Sequence, residues 1–267
     1  MAESGADDRA ETELVGGLSN VGRVVRIDDT VRRPWGPQSP AVHALLDHLE
    51  SVGFDGAPRA LGRDAQGRAV LTYIEGHVGV PPYPAWVAND ALLDSVADLQ
   101  RRFHDAVRGF TTPAGAVWDT TLAGESAHAT LVGHNDLCVE NVVVRDGRAV
   151  AFIDFDFAGP ADPRWDIAIA LRHWVPLRAT VDLDPNRAHL DRPGRFRRFL
   201  DRYGMDGPDR TVVVDLCATF LDQALVQVRA RAEAGQAGYV EWWANGYEGQ
   251  NRRAHDWVLA HRHELLA

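Results

Sequence analysis

The segment 131–168, LVGHNDLCVENVVVRDGRAVAFIDFDFAGPADPRWDIA, contains side chains whose types and spacing suit phosphoryl transfer. Asp136 is followed five residues later by Asn141, and Asp154 comes further along the same segment. In such a reaction one carboxylate accepts the proton of an attacking hydroxyl, while an amide oxygen and a second carboxylate hold the metal ions that bridge the nucleotide phosphates. The pattern H-x-D-x-x-x-x-N with a later Asp therefore predicts this chemistry.

A β-hairpin is predicted to position these groups. The pair Asp146-Gly147 lies between two apolar runs and is typical of a two-residue hairpin turn, because both turn positions favour positive φ. Counting outward from that turn places Asn141 opposite Phe152, with Asp154 diagonally across from Asn141 on the same face. Oxygen ligands would then converge at the open end of the hairpin, where Mg²⁺ is the expected cation.

A second interpretation takes Asp154-Phe155-Asp156 as the metal-binding D-x-D of a glycosyltransferase. This short pattern is common, and it leaves Asp136 and Asn141 without a role. Binding of a sugar nucleotide in preference to ATP would support it.

Composition excludes several classes of protein. The 267 residues include 28 Lys+Arg, and every one of these is Arg. The missing lysine excludes a phosphate-binding loop ending in GK[ST] and any lysine nucleophile or base. Two cysteines without C-x-x-C spacing argue against a zinc ribbon or a redox pair. The net charge of −10 argues against nucleic-acid binding and favours either a cationic ligand or simply solubility.

Nothing in the sequence indicates secretion or membrane insertion. The opening MAESGADDRAETE is acidic, which is unlike a signal peptide, and residues 1–12 are expected to be a disordered tail. The most apolar stretch, TVVVDLCATFLDQALVQV, is interrupted by Asp215 and Asp222, so we expect no membrane span and a cytoplasmic protein.

The pattern of apolar residues predicts an α+β protein with two lobes. Residues 13–78 contain short strand-like segments and one helix beginning at Ser39-Pro40 and ending before Gly53. Residues 79–267 are mainly helical, beginning with a long amphipathic helix over 92–107. A ligand is expected between the two lobes.

The motifs resemble those of the aminoglycoside phosphotransferase and choline kinase-like family. The likeness is carried by residues 134–141, by IDFDFAG at 153–159 and by DPRWDIA at 162–168. RRFHDAV at 101–107 is similar to the end of a helix in that family. The resemblance implies a protein-kinase-like fold with a β-rich nucleotide-binding N-lobe and a helical C-lobe that carries the catalytic and acceptor sites.

The resemblance also implies roles for individual residues. Asp136 is the expected catalytic base, and Asn141 and Asp154 are the expected Mg²⁺ ligands. Asp156 would either join the metal ligands or face the acceptor. Asn135 stands where the family usually has Gly, a departure that concerns the geometry of the loop.

The nucleotide, ATP or GTP, should be held by the N-lobe. Strand alternation sends only one of Arg32 and Arg33 into the cleft, and the family's habit of placing the cation directly after an apolar residue favours Arg32. A guanidinium holds phosphate oxygens in bidentate fashion. The helix glutamate that normally pairs with this cation is missing, because Val42 and His43 stand at the expected positions.

Two further segments resemble nucleotide contacts of the family. Gly17 and Ser19 lie in a turn similar to the one that covers the phosphates. Tyr73 and Ile74 lie at the lobe junction, where backbone groups would receive the adenine edge.

The acceptor is predicted to be a small polar hydroxyl compound, with an aminoglycoside or amino sugar first and a choline-like or other metabolite alcohol second. Glu241, Trp242 and Glu248 could combine carboxylates with an aromatic face for such a ligand, although a packed helix with solvated edges explains the same pattern.

A non-catalytic kinase-like binding module is a further alternative, motivated by Asn135 and the missing glutamate. A monomer or a homodimer is expected.

Overall fold

The computed structural model describes residues 11–14, 23–124 and 128–267. Within this part of the chain, five strands form an antiparallel sheet in the order β1–β2–β3–β5–β4. The elements of this first lobe are β1 (Thr12–Glu13), β2 (Val25–Ile27), β3 (Thr30–Arg33), helix α1 (Ser39–Ser51), β4 (Ala60–Arg63) and β5 (Ala69–Thr72). Residues 1–10 of the predicted tail lie outside the described residues, and Thr12 already belongs to a strand.

The helix of the first lobe closely follows its prediction. Pro40 occupies the first turn of α1, and Gly53 follows its end with a φ of +76°, a conformation that glycine adopts without strain. Leu45, Leu46 and Leu49 are buried and belong to the main core cluster. Val52, which follows the last residue of the helix, is 51% exposed.

A short segment joins the lobes. The Tyr73 N–H donates to the carbonyl of Asp29 at 2.7 Å, and His77 forms an isolated antiparallel bridge with Val144 of the second lobe. The connection is therefore hydrogen-bonded to both lobes.

The second lobe starts with α2 (Asp90–Val107), and Asn89 caps this helix by accepting from two backbone N–H groups. Its apolar face is buried as predicted, at Leu92, Leu93, Val96, Leu99, Phe103 and Val107. The remaining elements are β6 (Leu131–Gly133), β7 (Val142–Arg145), β8 (Arg148–Phe152), β9 (Gly159–Ala161), α3 (Pro163–Trp174), α4 (Arg192–Tyr203), α5 (Gly207–Glu233), α6 (Ala237–Ala244), α7 (Tyr247–Ala260) and α8 (Arg262–Leu266). The predicted two-lobed α+β architecture is confirmed.

Among the described residues, α5 alone is long and apolar enough to cross a membrane by length and composition. In the structure it is a core helix. Val213, Val214, Cys217 and Leu221 are essentially inaccessible and belong to the main core cluster, and the Cys217 thiol lies 3.7 Å from the carbonyl of Ala168 in α3.

The hairpin β7–β8 has the predicted turn, with φ values of +51° at Asp146 and +72° at Gly147. Its register differs from the prediction. An irregularity between Val143 and Val144 shifts the pairing by one residue, so Val142 and not Asn141 lies opposite Phe152.

Candidate active site

The loop 134–141, called the catalytic loop below because of the role expected for Asp136, connects β6 to β7 and brings Asp136 against Asn141. The Asn141 side chain donates from Nδ2 to the backbone oxygen of Asp136 at 2.8 Å and to its carboxylate Oδ2 at 2.9 Å. A 3₁₀ turn, Val139–Asn141, supplies the bend that makes this contact. The five-residue spacing read from the sequence therefore corresponds to a direct hydrogen bond.

The environment of Asp136 favours its protonated form. Desolvation raises the pKa of Asp136 well above the usual range, and the nearby carboxylates of Asp154 and Glu140 raise it further. The hydrogen bond from Asn141 opposes this effect. A carboxylate with a raised pKa is a stronger base, which suits acceptance of a hydroxyl proton.

Asp154 follows the end of β8 and lies beside the same loop. The Ile153 N–H donates to the Asn141 carbonyl at 2.9 Å, so the residue after Ile153 emerges next to Asn141. Asp154 itself has a left-handed backbone, with φ +63° and ψ +64°. This uncommon conformation for a residue other than glycine lies at the turn into the 3₁₀ segment Phe155–Phe157.

Arg33, and not Arg32, reaches this site. The Arg33 guanidinium donates to Asp154 Oδ1 at 2.7 Å and also contacts the carboxylate of Asp156. Although burial alone would raise it, the pKa of Asp154 is lowered by the Arg33 charge and hydrogen bond.

The prediction that Arg32 faces the cleft is therefore wrong. Arg32 lies on the other face of β3, donates to Thr30 Oγ1 at 2.6 Å and approaches Asp64 at 3.5 Å. Strand alternation alone shows that Arg32 and Arg33 lie on opposite faces of β3. Which of the two faces the second lobe depends on how the sheet packs against that lobe.

His43 occupies the place of the missing helix glutamate. It lines a small cavity together with Arg33, Asp154 and Asp156. Its ring packs edge-on against Trp35, with the centroids 4.9 Å apart. Burial lowers the pKa of His43, and the positive charge of Arg33 adds to this effect. A neutral imidazole thus stands where a carboxylate would pair with the cation, and Arg33 uses the two aspartates instead.

Buried polar contacts hold the catalytic loop in place. The Asp166 carboxylate is fully buried and accepts from the backbone N–H of Asn135 at 2.6 Å. His104 Nε2 lies 2.9 Å from the same carboxylate, and Gln100 donates to it at 3.3 Å. His134 Nε2 contacts the carbonyl of Ile153 at 2.9 Å. The contact of Gln100 with Asp166 was not predicted from the sequence. The one feature that could have indicated it is that Gln100 lies one turn before His104 on the buried face of α2.

Asn135 fits the position at which the family usually has Gly. Its φ is +60°, in the left-handed region that asparagine tolerates better than most residues. Its side chain also donates to the carbonyls of Phe157 at 3.1 Å and Gly159 at 3.4 Å. The departure therefore preserves the loop geometry and ties the catalytic loop to the segment that follows Asp154.

The structure describes only some of the residues expected to contact the nucleotide. Gly17 and Ser19 lie outside the described residues. Tyr73, next to Ile74 at the lobe junction, has the Arg26 guanidinium over its ring at 3.7 Å. Arg26 also pairs with Glu75 at 2.7 Å. The junction thus has a defined conformation between the lobes.

The three expected acceptor residues lie on the last helices. Glu241 and Trp242 are exposed on α6, and Trp242 packs against Tyr247 with ring centroids 4.4 Å apart. Glu248 pairs with Arg252 one turn further along α7 at 2.8 Å. These contacts are those of a helix pair with solvated edges.

The donor set fits a hard divalent cation. Asn141 uses its Nδ2 group for Asp136, which leaves the amide oxygen as the atom to face a cation, and Asp154 supplies a carboxylate. Over the described ranges, no group of three or more His, Cys, Asp or Glu side chains is arranged to hold a metal. Mg²⁺ at nucleotide sites commonly takes only one or two protein ligands, with phosphate oxygens and water completing its shell.

Comparison with known proteins agrees with this geometry. A model of the phosphotransferase enzyme family (APH) matches residues 113–210. Over 255 residues the chain is 33% identical to the trifolitoxin immunity protein of Rhizobium leguminosarum bv. trifolii, and the match covers 91% of this chain and 94% of that protein.

Two solved structures show the same fold. One is the GDP and kanamycin complex of APH(2")-IIia, with a TM-score of 0.61, 15% identity, and coverage of 92% of this chain and 93% of that one. The other is a choline/ethanolamine kinase family protein from Mesorhizobium loti, with a TM-score of 0.59, 14% identity, and coverage of 91% and 88%.

The fold and the family define a phosphotransferase with a kinase-like fold. The chain belongs to the phosphotransferase enzyme family, and the resemblance read from its motifs is confirmed. The glycosyltransferase interpretation of Asp154 and Asp156 is not supported.

Proposed function

We propose that this protein is a cytoplasmic, Mg²⁺-dependent kinase that transfers the γ-phosphoryl group of ATP or GTP to a hydroxyl of an antibacterial compound. The observation that carries the proposal is the convergence of Asp136, Asn141 and Asp154 at the mouth of one hairpin, facing Arg33 of the other lobe. The 33% identical relative, named as a toxin immunity protein, supports self-protection as the purpose.

Each residue has a defined task in the proposed reaction. Asp136 accepts the proton of the acceptor hydroxyl while the new bond from that oxygen to phosphorus forms and the bond to the leaving nucleotide oxygen breaks. Asn141 orients the Asp136 carboxylate through Oδ2, which leaves Oδ1 for the hydroxyl. Arg33 would hold phosphate oxygens, a role that its contact with Asp154 supports. Asn141 and Asp154 would hold Mg²⁺, which supplies neutralisation of phosphate charge when bound.

The experiment is nucleotide consumption with ATP and GTP over a panel of aminoglycosides, amino sugars, choline-like amines, hydroxy acids and peptide toxins that contain Ser or Thr. Asp136→Asn is the test variant, and we expect it to lower turnover by about 10²- to 10⁴-fold, the usual contribution of a general base. Thermal shift with Mg-ATP serves as the control, because the variant should still fold and bind nucleotide. Normal turnover by Asp136→Asn would refute the role of this residue, and no transfer to any acceptor would refute the proposed function.

A choline-like or other metabolite alcohol remains the alternative acceptor. It shares the same base and metal ligands, so the panel and not the site residues distinguishes it from an antibacterial compound.

A further inference from the structure

Three arginines of the second lobe lie around His173. The Arg187 guanidinium donates to the His173 carbonyl at 3.0 Å, and the Arg172 guanidinium lies 3.4 Å from the His173 Nε2. Arg172 is near the end of α3, Arg178 follows that helix, and Arg187 ends the 3₁₀ turn Pro185–Arg187. Arg172 and Arg187 are 7% and 2% exposed. Burial, together with the charges of the other two arginines, lowers the pKa of Arg178 to about 10. The fold thus places three positive charges in a poorly hydrated region, called the arginine cluster below.

Among the described residues, the acids nearest this cluster act on it only at longer range than a direct ion pair. None of the three guanidiniums lies within 4.0 Å of a carboxylate in the described part of the chain. The neighbouring acids have other partners. Asp182 is held by Arg253 at 2.6 and 2.8 Å, and Asp184 accepts from backbone N–H groups of Tyr83 and Asn186.

Two hydrogen-bond donors of the arginine cluster also lack an acceptor. The Nε atoms of Arg172 and Arg187 are buried without a hydrogen-bond partner. A buried, unpaired donor on a charged group is costly, so such groups are normally satisfied by a bound anion or a carboxylate. Burial and the surrounding guanidiniums hold the pKa of His173 well below its usual range, so this residue stays neutral. Charge and unpaired donors together define a site for an oxyanion.

The arginine cluster lies beside the catalytic loop. The Arg187 guanidinium stacks over the ring of Tyr83 at 3.9 Å. The Tyr83 hydroxyl donates to Glu140 at 2.8 Å. Glu140 belongs to the same loop as Asp136 and immediately precedes Asn141. Tyr83 and Glu140 therefore link the cluster to the base that would receive the acceptor proton.

We propose that the arginine cluster binds an oxyanion carried by the acceptor, so that the substrate is a hydroxyl compound with a carboxylate or phosphate group. This inference rests on the proposed function. Guanidiniums bind both kinds of oxyanion in bidentate fashion and keep their charge at any physiological pH. An acceptor ammonium group in the same place would be repelled, so the cluster selects against polycationic acceptors such as aminoglycosides.

The binding test compares sugars of one ring size that differ in charge: glucuronate, glucose 6-phosphate, glucose and glucosamine. At constant ionic strength and without nucleotide, titration calorimetry on the whole protein should give a Kd for at least one anionic sugar about tenfold below that of glucose, with glucosamine weakest. The two anionic sugars separate a carboxylate from a phosphate preference.

Arg178→Gln is the test variant, because its side chain is only partly buried and its removal takes one charge from the cluster. We expect this variant to lose the preference for the anionic sugars. Arg145→Gln removes the same charge from the exposed hairpin turn and should retain the preference. Equal binding of all four sugars, absence of binding by both anionic ones, or an unchanged preference in Arg178→Gln would overturn the inference.

Measuring phosphoryl transfer to anionic, neutral and cationic acceptors distinguishes this inference from the proposed function. Transfer to neutral or cationic hydroxyl compounds with no advantage for anionic ones would refute the oxyanion site and leave the kinase function standing. Anion binding that depends on Arg178, together with no nucleotide consumption for any acceptor, would refute the kinase function and leave the oxyanion site standing.

Discussion

Arg33 of β3 donates to Asp154 of the second lobe across 2.7 Å, and this contact joins the two lobes at the site. The same guanidinium contacts Asp156. In a chain without lysine, this arginine is the cation that the first lobe directs at Asp154, the carboxylate proposed to hold Mg²⁺. The contact also determines which of two adjacent arginines would meet the nucleotide phosphates.

Arg33→Ala should therefore raise the KM for nucleotide by about tenfold or more, because a charge-assisted hydrogen bond contributes roughly 1.5–3 kcal/mol. Arg32→Ala is the matched comparison, since it removes the same group from the opposite face of the strand. It should lower stability while leaving the nucleotide KM within about threefold of wild type. Steady-state kinetics and urea unfolding of both variants check this, and a larger KM effect at Arg32 would contradict the assignment.

Asp154→Asn should raise the Mg²⁺ concentration for half-maximal activity by about tenfold or more, because it replaces the charged one of two expected protein ligands. Chelation by EDTA should abolish transfer, and excess Mg²⁺ should restore it. Asp256→Asn, exposed on α7, removes an equal charge far from the hairpin and serves as the control. An unchanged Mg²⁺ requirement in Asp154→Asn would exclude Asp154 as a ligand.

Substitutions at Asn135 should separate backbone strain from hydrogen bonding. Asn135→Gly keeps the left-handed backbone but loses the bonds to Phe157 and Gly159, at a cost of about 1 kcal/mol. Asn135→Ala loses the same bonds and adds about 1–2 kcal/mol of left-handed strain. Urea unfolding should therefore rank wild type above Gly and Gly above Ala.

Asp146 provides the control for the Asn135 series. It has a similar positive φ in an exposed turn, so Asp146→Gly and Asp146→Ala measure the strain contribution without the buried hydrogen bonds. An Asn135→Ala protein as stable as Asn135→Gly would show that the loop relaxes.

Asp166 should make stability depend on pH in the acid range. Burial raises its pKa, but hydrogen bonds from His104 and Asn135 outweigh burial and hold the pKa below the usual range. An unfolded aspartate has a pKa of about 3.9, so this stabilisation is present above that value and is lost as pH falls through the lower folded-state pKa.

Asp166→Asn should accordingly show a smaller loss of unfolding free energy than wild type between about pH 5 and about pH 3. At neutral pH the variant should be less stable by about 3 kcal/mol, the cost of breaking a buried charged network. Asp146→Asn, which keeps a favourable hairpin turn, should follow the wild-type pH profile. Parallel pH profiles for wild type and Asp166→Asn would contradict this account.

Several features could be predicted because they depend on local spacing. The 3₁₀ turn converts the Asp136–Asn141 interval into a hydrogen bond, the Asp146-Gly147 pair sets the hairpin, and the apolar period of α2 places His104 in the interior. In each case the interactions are made within a few residues, or the hydrophobic pattern alone decides which face is buried.

Other features were decided only by the tertiary structure. The one-residue shift in the hairpin and the choice of Arg33 over Arg32 depend on how strands pack against distant elements. The arginine cluster had no signal in the sequence, because its members come from α3, a loop and a 3₁₀ turn that meet only when the helical lobe folds. A sequence shows which charges a protein has, whereas burial and mutual distance, which determine what those charges can bind, arise only when the chain is folded.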